Sequence, residues 1–224
     1  MRTALLMCFL VIGAASAVEH RAPEAYFGDA DPQPAQPLPA GLNTVLEAPT
    51  GRIFLGQSWL VHYVVRNRGT QEFSIELGGD GRAVRPTRTW LEAVAPDGTL
   101  GADPLRDRPV MSMGGMGGTF AVPPDGEQIE SMMPQLFVEI DRPGRWIVRA
   151  FHDLGLGPMQ GDDDPRWASI AVELAMPDAE QAAAVLAAHE ALLVAADHGR
   201  SMGERSQTPA NFAAMSQPIY LPLL

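Results

Sequence analysis

Short runs of branched and aromatic residues recur from about Thr44 to Met176, and turn-forming residues separate them. The run at residues 59–65 is the strongest, and residues 73–77 alternate apolar and polar side chains, as expected for a strand with one buried face. The pattern predicts about eight strands, at residues 52–55, 59–65, 73–77, 87–94, 119–122, 136–140, 145–152 and 167–174.

The connections between these runs carry no helical pattern. Parallel strands need long crossover connections, which are usually helices, so the sheets are expected to be largely antiparallel. The number and spacing of the strands predict an immunoglobulin-like β-sandwich over residues 44–176, with a small closed barrel as the alternative.

The pattern changes at Pro177, which suits the first position of a helix. From there, apolar residues recur at steps of three and four, and Gly199 is a stop signal, so a helix of about 20 residues is expected. Its predicted buried face consists of Ala182, Val185, Leu186, His189, Leu193 and Ala196. Residues 177–224 are therefore expected to form a short α-helical appendage, or the start of a truncated helical repeat region. The predicted fold class is mainly β.

The first 17 residues have the features of a secretory signal peptide, with Arg2, an apolar core and small residues before a cleavage point after Ala17. The apolar core is too short to span a bilayer, which takes about 20 residues. Residues 18–43 are rich in proline and are expected to form a linker. The chain is therefore predicted to be exported to the periplasm or the cell exterior. Its one cysteine, Cys8, would be lost on cleavage, so no disulfide would hold the mature fold.

Composition and net charge exclude some classes of function. Apolar residues make up 46% of the chain, enough for a packed core. The 16 basic residues, all arginine, face 27 acidic ones, and the net charge is -11. Such a charge argues against nucleic acids and anionic membranes as partners. No later segment is apolar enough to be a transmembrane span after signal cleavage.

Several turn motifs within residues 71–156 resemble an immunoglobulin-like module of exported bacterial proteins, of the kind followed by helical repeats. The motifs are Leu77-Gly78-Gly79-Asp80, Arg85-Pro86, Pro96-Asp97-Gly98, Gly114-Gly115-Met116-Gly117-Gly118, Pro143-Gly144-Arg145-Trp146 and His152-Asp153-Leu154-Gly155. The resemblance implies an interaction or scaffold role.

A methionine- and glycine-rich segment is the expected partner-binding loop. Exposed methionines adapt to a partner surface, and glycines let the loop conform to it. The candidate residues are Met111, Met113, Met116, Gly114 and Gly117. Arg82, Arg85 and Arg88 are expected to be ordinary surface charges, with carboxylate-binding forks near the loop as the alternative.

Copper binding is the alternative for the same loop. The thioethers of Met111, Met113 and Met116 are the soft ligands that Cu(I) selects. Cleavage after Ala17 would place His20 third in the mature chain, where the amine, two amides and the imidazole suit Cu(II) or Ni(II). The main interpretation requires no cofactor.

Catalytic motifs are weak in this sequence. Residues 199–203 match G-x-S-x-G, but they follow a predicted helix, whereas the hydrolase motif needs a strand before the serine. His152 and Asp153 are neighbours on one strand and point to opposite faces. The acidic run at residues 162–164 is expected to be a solvated loop. The sequence therefore predicts an exported, non-catalytic module that binds a protein or a cell-envelope component. A periplasmic copper-binding protein and a hydrolase of unrecognised type are the alternatives.

Overall fold

The structure is a computed structural model that describes residues 34–78, 85, 88–106, 118–197, 218–220 and 222. These residues are mainly β, with antiparallel sheets and one α-helix. The strands are β1 (Leu42–Glu47), β2 (Ile53–Phe54), β3 (Val61–Asn67), β4 (Phe73–Gly78), β5 (Thr89–Val94), β6 (Gly118–Val122), β7 (Glu127–Met132), β8 (Gly144–His152) and β9 (Ala168–Ala175). The helix is α1 (Ala179–Asp197).

The described strands form three sheets. The order is β1-β3-β7 in one sheet, β2-β9-β8-β5 in the second and β4-β6 in the third. All strand pairs are antiparallel except the short contact of β2 with β9. The prediction of largely antiparallel pairing is therefore confirmed for the described residues.

The three-stranded and four-stranded sheets contribute side chains to one apolar cluster. Tyr63 of β3 and Trp146 of β8 are among its largest members, and both are almost fully buried. The indole N–H of Trp146 donates to the carbonyl of Arg142 at 2.9 Å, so the ring is buried without losing its hydrogen bond. Burial of a large apolar side chain contributes about 1.5–3 kcal/mol, and this cluster is the main source of stability in the described chain.

Two strands and one turn differ from the sequence prediction. β7 was not predicted, and β1 begins at Leu42, inside the segment predicted as a linker. Residues 136–140, predicted as a strand, instead follow a 3-10 turn at Pro134–Leu136. Phe137 donates its N–H to the Pro134 carbonyl at 2.9 Å, which closes that turn. Leu136, Phe137 and Val138 are buried although the segment pairs with no strand among the described residues.

The helix begins at a capping box. The Asp178 carboxylate accepts the N–H of Gln181 at 2.9 Å, and the Gln181 side chain accepts the N–H of Asp178 at 3.0 Å. Asp178 is thus the N-cap, and the prediction that Pro177 occupies the first helical position is wrong. Proline before the cap still fits, because the chain there is outside the helical hydrogen-bond ladder.

The helix packs on the loop after β2. Its predicted buried face is confirmed at Ala182, Val185, Leu186 and His189. Tyr220, also fully buried, donates its hydroxyl hydrogen to the Leu55 carbonyl. Gly56 lies between them with φ +83°, and a Cβ there would come within 2.6 Å of the Tyr220 ring. Glycine is therefore required at this approach, for its backbone angle as well as for space.

Candidate functional site

The predicted partner-binding loop is flanked by described residues. Met111, Met113, Met116, Gly114 and Gly117 lie outside the described residues, as does the candidate copper ligand His20. The chain resumes at Gly118, which begins β6 and lies opposite Gly78 of β4. The loop therefore rejoins the described structure at one end of the two-stranded sheet.

The strand β6, which follows this loop, is an exposed edge. Thr119, Phe120 and Ala121 are all exposed, and Phe120 is 43% accessible. On β4, the N–H of Glu76 points away from β6 and donates to the Leu154 carbonyl at 3.2 Å. Backbone groups alternate in direction along an antiparallel pair, so those of Thr119 and Ala121 point outward. In the part of the chain that the structure describes, no strand pairs with this edge.

A second candidate is a buried polar cluster around His152, at the end of β8. Its Nδ1 accepts the N–H of Leu154 at 2.9 Å, so the ring proton lies on Nε2. That nitrogen is 3.1 Å from a carboxylate oxygen of Glu130 on β7, which also accepts the Thr89 hydroxyl at 3.1 Å. The Tyr63 ring stacks on the imidazole with centroids 6.0 Å apart.

This cluster joins strands of two sheets. His152 is inaccessible to solvent, and both ring nitrogens contact the protein itself. A general base must reach the proton that it abstracts, so an imidazole enclosed in this way is not placed to act as a base toward a substrate. The Asp153 carboxylate lies 3.8 Å from Nδ1, beyond hydrogen-bond distance, as the strand alternation predicts. Sequence reasoning missed Glu130 as the partner because the two residues meet where one sheet packs on the other.

The loop after His152 is strained. Leu154 is buried with φ +56°, a conformation that costs a branched residue on the order of 1–3 kcal/mol. Beside it, burial raises the pKa of the Asp153 carboxyl above its ordinary value, although the Gly155 N–H and the Arg88 charge oppose the shift. Contacts from the rest of the protein must hold this loop in place.

Arg166 supplies three of those contacts, and all five of its N–H groups are used. Nη1 donates to the carbonyls of Asp153 and Gly157 at 3.0 and 2.8 Å, and Nη2 donates to that of Pro158 at 2.7 Å. Nε and Nη2 donate hydrogen bonds to the two oxygens of the Asp164 carboxylate at 2.9 and 2.6 Å. Arg166 is therefore a structural clamp with no donor left for a ligand.

Asp164 corrects the prediction of a solvated acidic loop. Asp162 and Asp163 are exposed, but Asp164 is buried against Arg166. Burial alone would raise the pKa of Asp164, yet the hydrogen bonds from Arg166 and from the Gln160 N–H outweigh it, so the pKa is lowered. The carboxylate is thus held in its charged form.

The predicted arginine forks are also used internally. Arg85 is 2% exposed, donates to the Leu136 carbonyl at 2.6 Å and binds the Asp103 carboxylate. Arg88 lies 2.5 Å from Glu76 and 3.3 Å from Asp153. Arg82 lies outside the described residues. Arg85 is therefore not the surface charge that the sequence predicts, and the carboxylates that Arg85 and Arg88 bind come from this chain.

A serine–histidine pair lies on the outer face of the three-stranded sheet. Ser131 Oγ and His62 Nδ1 are 2.8 Å apart, and Glu47 is opposite His62 in the register. The Glu47 carboxylate, however, is bound by Arg66. Among the described residues no hydrogen bond joins His62 to an acid, so the triad geometry that activates a serine is incomplete there.

The described residues contain neither a metal-ligand cluster nor a helix suited to span a membrane. No group of three or more His, Cys, Asp or Glu side chains is arranged to hold a metal ion. No described helix combines the length and the apolar composition that crossing a membrane requires.

Comparison with known proteins gives no family. No family model matches the sequence, and no curated protein matches it. Among solved structures, the CARDB domain of a Pyrococcus furiosus protein has 12% identity over 61% of this chain and 94% of its own, with a TM-score of 0.32. Red sea bream transglutaminase has 12% identity over 63% and 17%, with a TM-score of 0.35. A β-glucosidase from Listeria innocua has 11% identity over 59% and 16%, with a TM-score of 0.29. Likenesses with TM-scores this low establish neither a family nor a function for this chain.

Proposed function

We propose that this chain is an exported, non-catalytic β-sandwich module of the immunoglobulin-like kind, which binds another protein or a cell-envelope component. Support for the sandwich comes from the shared core, because two mainly antiparallel sheets that bury their inner faces in one cluster pack as layers. Support for export comes from the signal-peptide pattern of residues 1–17.

The non-catalytic part of the proposal is supported by how the polar groups are used. His152 and Arg166 have their hydrogen-bonding groups engaged within the protein. The exposed pair of His62 and Ser131 lacks an acid partner among the described residues. Catalysis needs a nucleophile, a base and an orienting group within reach of one reacting atom, and these clusters supply no such set.

One observation carries the binding proposal: β6 exposes an aromatic side chain on an edge with which no strand of the described residues pairs. Phe120 is 43% accessible, and the backbone groups of Thr119 and Ala121 point outward on the same strand. A partner segment in extended conformation would add to such an edge through backbone hydrogen bonds, with the aromatic ring as anchor. The adjoining loop at residues 107–117 would extend the contact.

The experiment is site-specific photocrosslinking in cells that export the chain. A photoreactive phenylalanine analogue at position 120 is expected to give a discrete adduct with an envelope component. The matched control is position 60, because Leu60 is also an exposed apolar residue, at 38%. A second probe carries the photoreactive group at position 119. With that probe, Phe120→Asp is expected to abolish the adduct, whereas Leu60→Asp is expected to leave it unchanged.

Two results would count against this site. Equal adducts from positions 60 and 120 would indicate non-specific collision, and no adduct from position 120 in folded, exported protein would remove β6 as the contact. Purified protein that turned over ester, peptide or glycoside substrates would contradict the non-catalytic assignment.

A further inference from the structure

A second edge strand with exposed residues, β7, forms one side of the three-stranded sheet. Its residues Glu127, Ile129 and Ser131 are all exposed, and Ile129 is 46% accessible. It has no proline within it, and the chain has no lysine, so two of the usual devices that protect edges from pairing are missing. In the described structure, β6 pairs with β4 rather than with β7, so β7 has a partner on one side only.

The direction of the backbone groups of β7 follows from two hydrogen bonds on the central strand. Asn67 donates to Gly126 at the β7 side, and Arg68 donates to Gly41 at the β1 side. Odd-numbered residues of β3 therefore face β7, and the register pairs them with even-numbered residues of β7. The N–H and C=O groups of Glu127, Ile129 and Ser131 consequently point away from the sheet.

We propose that a second copy of this chain docks on that edge, with the two β7 strands antiparallel about a two-fold axis at Ile129. In this register Ile129 lies opposite Ile129 of the second copy, and the outward groups of positions 127, 129 and 131 complete one continuous ladder. The three-stranded sheet becomes six-stranded, in the order β1-β3-β7-β7-β3-β1.

Charge complementarity selects a second copy as the occupant. Glu127 lies opposite Ser131 of the other copy, whose hydroxyl is a donor, and Gln128 lies opposite Glu130 of the other copy. No acidic residue of β7 faces another acidic residue in this register. Like charges directly opposite would be destabilising, so the strand is complementary to itself although it carries two glutamates.

The outer face of the sheet adds an apolar contact. Val45, Val64 and Ile129 form one cross-strand row, with polar rows on both sides of it. Val64 is already fully buried, and Ile129 is the exposed end of the row. Pairing at Ile129 joins the rows of the two copies and covers that end.

Disulfide crosslinking of the full chain reads this register directly, in a background in which Cys8→Ser removes the one natural thiol. Paired Cα atoms at a hydrogen-bonded position are about 5.5 Å apart, within disulfide range. Ile129→Cys is expected to give a crosslinked dimer under mild oxidation. Glu127→Cys alone and Ser131→Cys alone are expected to give none, because each would be about four residues from its copy, whereas their mixture is expected to crosslink.

Light scattering supplies the second measurement. The unmodified chain is expected to have twice the monomer mass, Ile129→Lys is expected to reduce it to the monomer, and Phe120→Lys, which changes the other exposed edge, is expected to leave the dimer intact. Three results would overturn the proposal: a monomer at all accessible concentrations, crosslinking of Glu127→Cys alone as efficiently as Ile129→Cys, or a dimer that persists in Ile129→Lys. Circular dichroism of each variant confirms that it is folded.

Discussion

At the scale of single residues, Arg166 and Asp164 form a buried ion pair. Each is 1% exposed at its side chain, and a pair removed from water in this way is stabilising only if its hydrogen bonds are complete. Arg166 meets that condition through three carbonyls and one carboxylate, and its plane also lies 4.7 Å above the Phe151 ring. The strained backbone at Leu154 is held in place by this arrangement.

Removal of the Asp164 carboxylate should therefore be costly. Asp164→Ala leaves the Arg166 charge buried without its partner and is expected to lower the free energy of unfolding by about 3–5 kcal/mol. Asp163→Ala, at the exposed neighbour, is expected to stay within about 0.5 kcal/mol of the unmodified protein. Urea unfolding followed by tryptophan fluorescence measures both, and equal stability of the two variants would contradict the clamp.

The same pair determines in which direction the stability of the fold changes with pH. The pKa of Asp164 is lower in the folded state than its ordinary value of 3.8, so its contribution to stability is complete above that value. It is lost as the pH falls through the lower folded value. Asp164→Ala is expected to reduce the fall in the free energy of unfolding at acid pH. If the fall is the same in the variant and in the unmodified protein, other carboxyl groups cause the acid unfolding.

The copper hypothesis also belongs to single side chains, and it stays a prediction. If the loop binds Cu(I), removal of both Met111 and Met113 is expected to abolish binding, because the one remaining thioether, that of Met116, coordinates weakly. Titration against a chromogenic Cu(I) chelator compares the unmodified chain with the Met111→Ala, Met113→Ala double variant. Met176→Ala is the matched control, since Met176 is an exposed methionine elsewhere. Equal uptake by all three proteins, or uptake by none, would remove the loop as a copper site.

At the scale of elements, the sequence predicted best where branched and aromatic residues dominate. The strands β3, β8 and β9 lie within about two residues of their predicted bounds. β7 escaped prediction because most of its residues are polar, and only pairing with β3 makes it a strand. Residues 136–140 have strand composition, yet Pro134 begins a 3-10 turn just before them. Glu130 and His152 meet because two sheets pack face to face, and periodicity along one strand does not contain that packing.

Docking of the helix involves a buried histidine whose pKa is lowered. His189 lies 3.0 Å from the Gly56 carbonyl through Nε2. Burial lowers its pKa below the ordinary 6.5, although the carbonyl contact opposes the shift. The neutral imidazole is therefore favoured by folding, so its contribution is complete above pH 6.5 and is lost as the pH falls through the lower folded value.

Hydrogen exchange should report that loss within one element. Between about pH 7 and 5 the amides of α1 are expected to lose protection, after correction for intrinsic exchange rates, while those of β8 keep theirs. His189→Gln retains a donor for the Gly56 carbonyl without the titration and is expected to give a flat profile. A pH response of the same size in both proteins would assign the effect to another group.

At the scale of the whole molecule, the two proposed contacts use edges of different sheets. β6 borders the two-stranded sheet, and β7 borders the three-stranded sheet on the far side of a turn. The turn at residues 123–126, closed by the Gly126 N–H donating to the Pro123 carbonyl at 2.9 Å, sends each strand to its own sheet. A chain dimerised through β7 would therefore keep β6 available and present two copies of it, which favours a multivalent scaffold.

Net charge determines how such a dimer should respond to salt. Each chain carries -11, and screening shortens the range of their repulsion from about 30 Å at 0.01 M salt to about 8 Å at 0.15 M. The ladder and the Ile129 contact depend little on salt, so the association constant is expected to rise several-fold over this range. Sedimentation equilibrium measures it, with Ile129→Lys expected to remain a monomer throughout. A constant that falls with salt would mean that attractive ion pairs, absent from the proposed register, hold the copies together.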